Sequence, residues 1–173
     1  EAQVQQKKGV GIWEWAHTGS KNPDVVMAAA GDAMVHESLA AISILKKLLP
    51  ELQLRFVNVS ELTALGIGDE KHPLSLNHEE FDQYFTGNRP IIFNFHGYPG
   101  VIKKLIFGHP HAERFSIHGY IEERTTTTPF QMMVMNQTSR YHLAIEALQK
   151  GSKIQPKIAT KAKQIIQQLE KKL

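Results

Sequence analysis

Short, continuous apolar runs alternate along the chain with longer segments whose apolar residues recur every three to four positions. The runs predict strands that are buried on both faces, and the longer segments predict helices. Because two strands joined by a crossover helix pair in parallel, we predict an α/β fold. It has three layers, α/β/α, around a mainly parallel mixed sheet of four or five strands. The predicted strands are 25–30, 54–59, 91–96 and 115–121.

Residues that start or stop helices bound the helical segments. Pro50 ends the first one, and Asp32 just before it is a candidate cap. The segment from Thr128 to Gln131 has the form of a capping box, with Pro129 at the first helical position. The predicted helices are 35–49, 78–85, 99–107, 129–136, 139–150 and 156–172.

Three segments of different character divide the chain. Residues 1–22 are polar and rich in glycine, and we interpret them as a linker that Trp13 and Trp15 anchor to a partner surface or to the body. Residues 23–151 form the predicted α/β domain. Its strand 115–121 alternates apolar and polar residues, which indicates an exposed face or an edge position. Residues 152–173 combine an apolar stripe with lysines and predict a basic amphipathic C-terminal helix.

The charge distribution changes the meaning of the overall basicity. The 173 residues carry a formal net charge of +3, which by itself would suggest a nucleic-acid partner. Residues 152–173 hold six lysines and one glutamate, so the rest of the chain is mildly acidic at −2. The lysine face has no aromatic residue that could stack on bases. We therefore interpret it as a solvated helix face and expect neither nucleic acid nor a membrane as a partner.

Composition excludes several classes of site. With 42% hydrophobic and 21% charged residues the chain is too apolar for intrinsic disorder. It has no cysteine, so it holds no disulfide, no Cys-ligated zinc and no Cys nucleophile. No apolar run approaches the roughly 18 residues of a membrane span, and no secretory signal is evident. We expect a cytoplasmic protein, and the first residue, Glu1, suggests a part of a longer one.

The turn His96-Gly97-Tyr98-Pro99 is the strongest candidate for a ligand site. His96 ends a buried strand just before a helix begins, where an anion can bind. The hydroxyls of Thr125 to Thr128 could contact a phosphate, although capping alone explains Thr128. The alternative for His96 is a hydrogen-bonded histidine at a strand end, since no partner motif accompanies it.

Three imidazoles lie within ten residues, at His109, His111 and His118. Histidine is a common zinc ligand. No carboxylate or fourth ligand has a suitable spacing, and Pro110 between the first two indicates a solvated turn. We therefore favour a solvated turn over a metal site.

Several longer segments carry a family resemblance. They are HGYP (96–99) and TTTTPF (125–130), which are the most specific, together with GIWEWAHTG (11–19), DVVMAAAGD (24–32), LRFVNVSEL (54–62), and the sequences that surround the first two. This set resembles the C-terminal domain of the phosphoketolases, which are related to transketolase. The resemblance runs from about residue 9 to about 150. We interpret the tail beyond it as a lineage-specific extension.

The resemblance implies a transketolase C-terminal-like fold and a place in a larger enzyme. Phosphoketolases are homodimeric carbon–carbon lyases that use thiamine diphosphate and magnesium. They cleave xylulose 5-phosphate, or fructose 6-phosphate in some members, with phosphate to acetyl phosphate and an aldose phosphate. The resemblance places the cofactor site in the preceding N-terminal domains. It thus implies that this chain binds no cofactor, packs on those domains, supports the dimer and is inactive alone.

One pattern imitates the magnesium site of thiamine diphosphate enzymes. Gly31-Asp32 follows a strand, and Asn58 ends the next one. Ala33 and Val59 stand where that pattern has a second glycine and a second asparagine, so we treat the match as a look-alike. The alternative function for the whole chain is an anion- or nucleotide-binding regulatory α/β module.

Overall fold

A computed structural model describes residues 7–18, 22–66, 72–121 and 127–173. The strands in these ranges are β1 (Val10–Ile12), β2 (Val25–Ala30), β3 (Leu54–Val59), β4 (Ile91–Phe95) and β5 (Phe115–Gly119). The helices are α1 (Asp32–Leu48), α2 (His78–Phe85), α3 (Pro99–Ile106), α4 (Pro129–Met135), α5 (Arg140–Ile154) and α6 (Ala159–Glu170), with short 3₁₀ turns between some of them.

The strands form one mixed sheet in the order β1-β3-β2-β4-β5. The four longer strands pair in parallel, and β1 pairs antiparallel with β3 at one edge. This confirms the predicted mainly parallel α/β sheet. It also places the alternating strand β5 at the other edge, as its pattern predicted.

Helices cover both faces of the sheet, which confirms the predicted three layers. β2 is buried along its whole length, because its alternate residues contribute to two separate cores. One core contains Leu45 of α1, Leu143 of α5 and Ile165 of α6. The other contains Phe81 of α2 and Ile102 of α3.

The N-terminal segment contributes to the sheet. Residues 10–12 were predicted to belong to a linker, but they form β1, and Val10 is buried. The Gly9 carbonyl accepts the backbone N–H groups of Ser60 and Glu61 at 2.9 and 3.0 Å, which ties the segment to the end of β3. A strand of three residues is too short to show a periodic signal in the sequence. Its pairing partner also lies almost fifty residues away, so no local pattern reveals the pairing.

The two tryptophans have different environments. The Trp13 ring packs edge-on against Phe56 at 5.4 Å and lies against the core to which α1 contributes. Trp15 stacks on Trp13 at 5.3 Å, and its exposed fraction is 63%. The body itself therefore holds Trp13, whereas Trp15 extends to the surface.

The C-terminal segment completes one of the two cores. α5 continues through Gly151, where the sequence predicted a helix end. A Cβ at Gly151 would lie 2.3 Å from Leu52 Cδ1, so close packing rather than helix termination explains this glycine. After a 3₁₀ turn, α6 follows as predicted. Its apolar stripe is buried in the same core as α1 and α5: Ile158, Ala162, Ile165 and Leu169.

Helix starts agree with the capping chemistry in one case and differ in another. Thr128 and Gln131 form the predicted capping box, with the Gln131 N–H donating to Thr128 Oγ1 at 3.2 Å. α1 begins three residues earlier than predicted, so Asp32 lies inside its first turn and Gly31 is the N-cap.

None of the helices in the described ranges combines the length and apolarity that crossing a bilayer requires.

Candidate functional site

The sheet has a topological switch point between β2 and β4. From β2 the chain passes through α1 to β3 on one side, and from β4 it passes through α3 to β5 on the other. In open α/β sheets the crevice outside the carboxyl ends of such strands is the usual ligand site. Gly31 follows β2 and His96 follows β4, so the predicted candidate His96 lies at this switch point.

His96 is held by its backbone and its ring. Its N–H donates to the Ala30 carbonyl at 3.0 Å. Its ring stacks on Tyr120 with the centroids 5.7 Å apart and an interplanar angle of 12°. Gly31 has φ +95°, and a Cβ there would lie only 2.4 Å from His96 Cβ. The two strand ends therefore meet in direct contact, which the sequence did not reveal.

The turn after His96 is locked against the end of β5. The Tyr120 N–H donates to the Gly97 carbonyl at 3.0 Å. A Cβ at Gly119 would lie 2.3 Å from Pro99 Cδ and 2.4 Å from the Gly97 carbonyl oxygen, so only glycine fits there. Tyr98 is the N-cap residue of α3 and remains 62% exposed.

The electrostatics at the switch point do not favour an anion. Asp32 lies in the first turn of α1, where its carboxylate is stabilised by the positive end of the helix dipole and repels a second negative charge. His96 and Tyr98 are both exposed. This arrangement is that of a packed surface turn, and a ligand role for His96 and Tyr98 stays a prediction.

The threonine segment is only partly described. Thr125 and Thr126 lie outside the described residues. The Thr128 hydroxyl accepts the Gln131 N–H and contacts Gln131 Oε1 at 3.1 Å, so the helix start uses it. Thr127 Oγ1 is buried and has no hydrogen-bond partner in the described part of the chain.

The three imidazoles of the candidate metal site lie in different environments. His109 is buried, stacks on Phe81 at 3.8 Å and contacts the Leu65 carbonyl through Nε2 at 3.1 Å. His111 is exposed on the surface. His118 contacts Glu146 of α5, Nε2 to Oε2 at 2.5 Å. Among residues 7–18, 22–66, 72–121 and 127–173, no three His, Cys, Asp or Glu side chains are arranged to hold a metal ion.

His109 is expected to make stability depend on pH. Nε2 donates to the Leu65 carbonyl, so Nδ1 of the neutral ring is the acceptor for His78 Nδ1, 3.1 Å away. Burial lowers the pKa of His109 below its usual value. The unfolded chain then binds the extra proton more readily, so the stabilisation present above about pH 6.5 is lost as the pH falls.

Urea unfolding followed between pH 5 and 7.5 checks this prediction. His109→Gln cannot titrate, so it should reduce the pH dependence of the unfolding free energy. It should not abolish that dependence, because burial also lowers the pKa of His142, which contributes with the same sign. His111→Gln at the exposed position is the matched control and should leave the slope unchanged. Equal slopes in all three proteins would contradict the assignment.

A second cluster of titratable groups, which the sequence analysis did not combine, lies beside β5. Burial raises the pKa of Glu146, but hydrogen bonds from His118 and Ser116 outweigh it and leave the pKa below its usual value. Lys150 adds an ion pair at 3.4 Å. The cluster borders a cavity of about 330 Å³. His118 and Glu146 are 28 residues apart, so only the packing of α5 on the sheet reveals the pair.

The magnesium look-alike does not fit a metal site. Asn58 lies within β3, paired with Gly11 on one side and Ala29 on the other. Asp32 belongs to the first turn of α1. Val59 continues the strand as a buried apolar residue, so the second amide oxygen that the pattern requires is replaced by a core side chain.

The chain is similar to one family of known proteins. The model of a family described as the XFP C-terminal domain matches residues 1–173. A probable phosphoketolase of Bradyrhizobium diazoefficiens is 47% identical over 167 residues, which is 95% of this chain and 20% of the relative. A probable phosphoketolase of Brucella abortus is 46% identical over 151 residues, covering 87% of this chain and 19% of the relative. A probable phosphoketolase 2 of a Nostoc species is 46% identical over 167 residues, which is 96% of this chain and 20% of the relative.

Two facts follow from these matches. The chain spans about a fifth of the length of the curated relatives. The family match also includes residues 152–173, so the expectation that the resemblance stops near residue 150 was wrong. The burial of α6 in the core gives the physical reason, because the domain is incomplete without it.

Proposed function

Because the chain belongs to the XFP C-terminal domain family, the C-terminal domain of phosphoketolases, we propose that it serves as the last domain of such an enzyme. The whole enzyme cleaves xylulose 5-phosphate, and in some cases fructose 6-phosphate, with inorganic phosphate. The products are acetyl phosphate and an aldose phosphate. The observation that carries this proposal is identity of 46–47% to relatives named probable phosphoketolase over most of this chain.

Thiamine diphosphate and magnesium belong, in this proposal, to the preceding domains. The chain corresponds to about a fifth of each relative, which leaves most of the protein for the cofactor site. The strand ends of this domain are closed by direct packing of Gly31 on His96 and of Gly119 on Pro99. This packing supports a structural role, in which the domain stabilises the other domains and the homodimer. A cytoplasmic location is part of the same proposal and fits the absence of cysteine.

An activity assay tests the proposal. The full-length protein, supplied with xylulose 5-phosphate, thiamine diphosphate, Mg²⁺ and phosphate, is expected to form acetyl phosphate, which hydroxylamine traps as a hydroxamate. Residues 1–173 alone are expected to form none under the same conditions. Acetyl phosphate from the isolated chain would contradict the structural role, and none from the folded full-length protein would contradict the reaction.

A further inference from the structure

Helix α4 carries apolar side chains that the domain itself does not bury. Its sequence is Pro-Phe-Gln-Met-Met-Val-Met. Met132 is buried at 4% exposure, whereas Phe130 is 47% and Met135 is 48% exposed. A helix that is apolar around most of its circumference is normally enclosed by protein. The outer side of α4 therefore has the composition of an interior helix and the position of a surface helix.

Polar contacts hold α4 in place. The capping box of Thr128 and Gln131 fixes its first turn. At its end, Asn136 Oδ1 accepts the Ile121 N–H at 3.1 Å, and Asn136 Nδ2 donates to the Ile121 carbonyl at 2.9 Å. A helix this short is marginal in isolation and usually depends on its apolar face for stability. Here polar contacts at both ends hold the helix, and Phe130 and Met135 remain exposed to contact another surface.

Tyr98 lies along the same edge of the sheet. It is the N-cap of α3, just after the carboxyl end of β4, and is 62% exposed. The Gly97 carbonyl accepts a hydrogen bond from the Tyr120 N–H. The next residue, Ile121, is hydrogen-bonded to Asn136 at the end of α4, so the start of α3 and the end of α4 both lie along this edge. We call Tyr98, Phe130 and Met135 the apolar edge. Phe107, 84% exposed, follows the other end of α3 and so lies at the opposite, amino edge of the sheet.

The size of the apolar edge favours another domain of the same polypeptide over a separate protein molecule as its partner. A stable interface between separate protein molecules takes about 20–30 residues from each partner, far more than these three side chains. Contacts between domains of one polypeptide can be smaller and more polar, because the covalent link supplies a high effective concentration. The relatives are about five times longer than this chain, so the proposed function places such a partner within the same polypeptide.

We propose that the apolar edge docks onto an apolar surface of the preceding domains of the same polypeptide. This inference rests on the proposed function, since it takes the domain as the last part of a phosphoketolase. The flexible, unbranched Met135 side chain adapts to an irregular groove, and Tyr98 places an aromatic ring with a hydroxyl at the rim. The pre-organised α4 lowers the entropy lost when the domains dock.

Hydroxyl-radical footprinting of the isolated chain and the full-length polypeptide tests the proposal. Modification of Tyr98, Phe130 and Met135 should fall at least about fivefold in the full-length protein, because interface cores are packed like protein interiors. Phe107 is the internal control and should be modified to the same extent in both. Equal modification of the apolar edge in the two proteins would overturn the proposal. Protection that already appears in the isolated chain and rises with its concentration would assign the edge to a second copy and also overturn it.

A pair of variants separates docking from the proposed reaction. In the full-length protein, the double substitution Phe130→Ser and Met135→Ser should restore modification of Tyr98 toward its level in the isolated chain, whereas Phe107→Ser should not. Footprinting needs no catalysis. Full-length protein without acetyl phosphate formation but with a protected edge would refute only the reaction, and an active protein with an unprotected edge would refute only the docking.

Discussion

Removal of residues 155–173 is expected to unfold the domain. The segment buries Ile158, Ile165 and Leu169 at exposed fractions of 4%, 5% and 6%. Burial of a large apolar side chain contributes about 1.5–3 kcal/mol, so the three together contribute roughly 5–9 kcal/mol. A typical domain has a total unfolding free energy of about 5–15 kcal/mol. The truncated chain should therefore lose its cooperative urea transition and its near-ultraviolet circular dichroism.

The matched control separates the apolar stripe from the lysines. Replacing the lysines of residues 152–173 by glutamine should change the unfolding free energy by less than about 1 kcal/mol, since surface ion pairs contribute little. The contact of Lys161 with Glu51 at 3.1 Å is such a pair, with both side chains about half exposed. A truncated chain that unfolds at the same urea concentration as the intact one would show that the tail is an appendage after all.

Gly31→Ala is expected to destabilise the domain by about 2–6 kcal/mol. Left-handed backbone costs a non-glycine residue about 1–3 kcal/mol, and Gly31 has φ +95°. Overpacking adds about 1–3 kcal/mol, because the new Cβ would lie 2.4 Å from His96 Cβ. The substitution should therefore lower the urea midpoint and disturb the stacking of His96 on Tyr120.

Gly100→Ala is the matched control. A Cβ at Gly100 meets no heavy atom within 4 Å, and the residue lies in the first turn of α3. Alanine is favoured over glycine in helices by about 0.5–1 kcal/mol, so this variant should be as stable as the parent or slightly more stable. If Gly31→Ala unfolds at the same urea concentration as Gly100→Ala, the close approach of the strand ends does not matter for stability.

The candidate site was predictable only in part. His96 and Tyr98 could be placed at a strand end and a helix start because buried strands and proline-led helices have local signatures. Their partners could not, since Tyr120 lies 24 residues beyond His96 and Gly31 lies 65 residues before it. The same holds for Glu37, whose carboxylate accepts the Arg140 N–H at 2.7 Å and binds its guanidinium, 103 residues away. This pair fixes the start of α5 against α1, and no pattern near either residue announces it.

Local pattern was sufficient for the fold class, the mainly parallel direction of the long strands and the capping box of Thr128, because buried strands, crossover helices and caps leave signals within a few positions. Tertiary structure alone decided that residues 10–12 join the sheet and that the lysine-bearing tail completes a core. It also decided that His109, His111 and His118 occupy separate environments, although they lie within ten residues of one another. The physical reason is common to all three outcomes. Each depends on which distant surface a segment meets. The sequence pattern shows that a face is apolar, but it does not show what that face packs against.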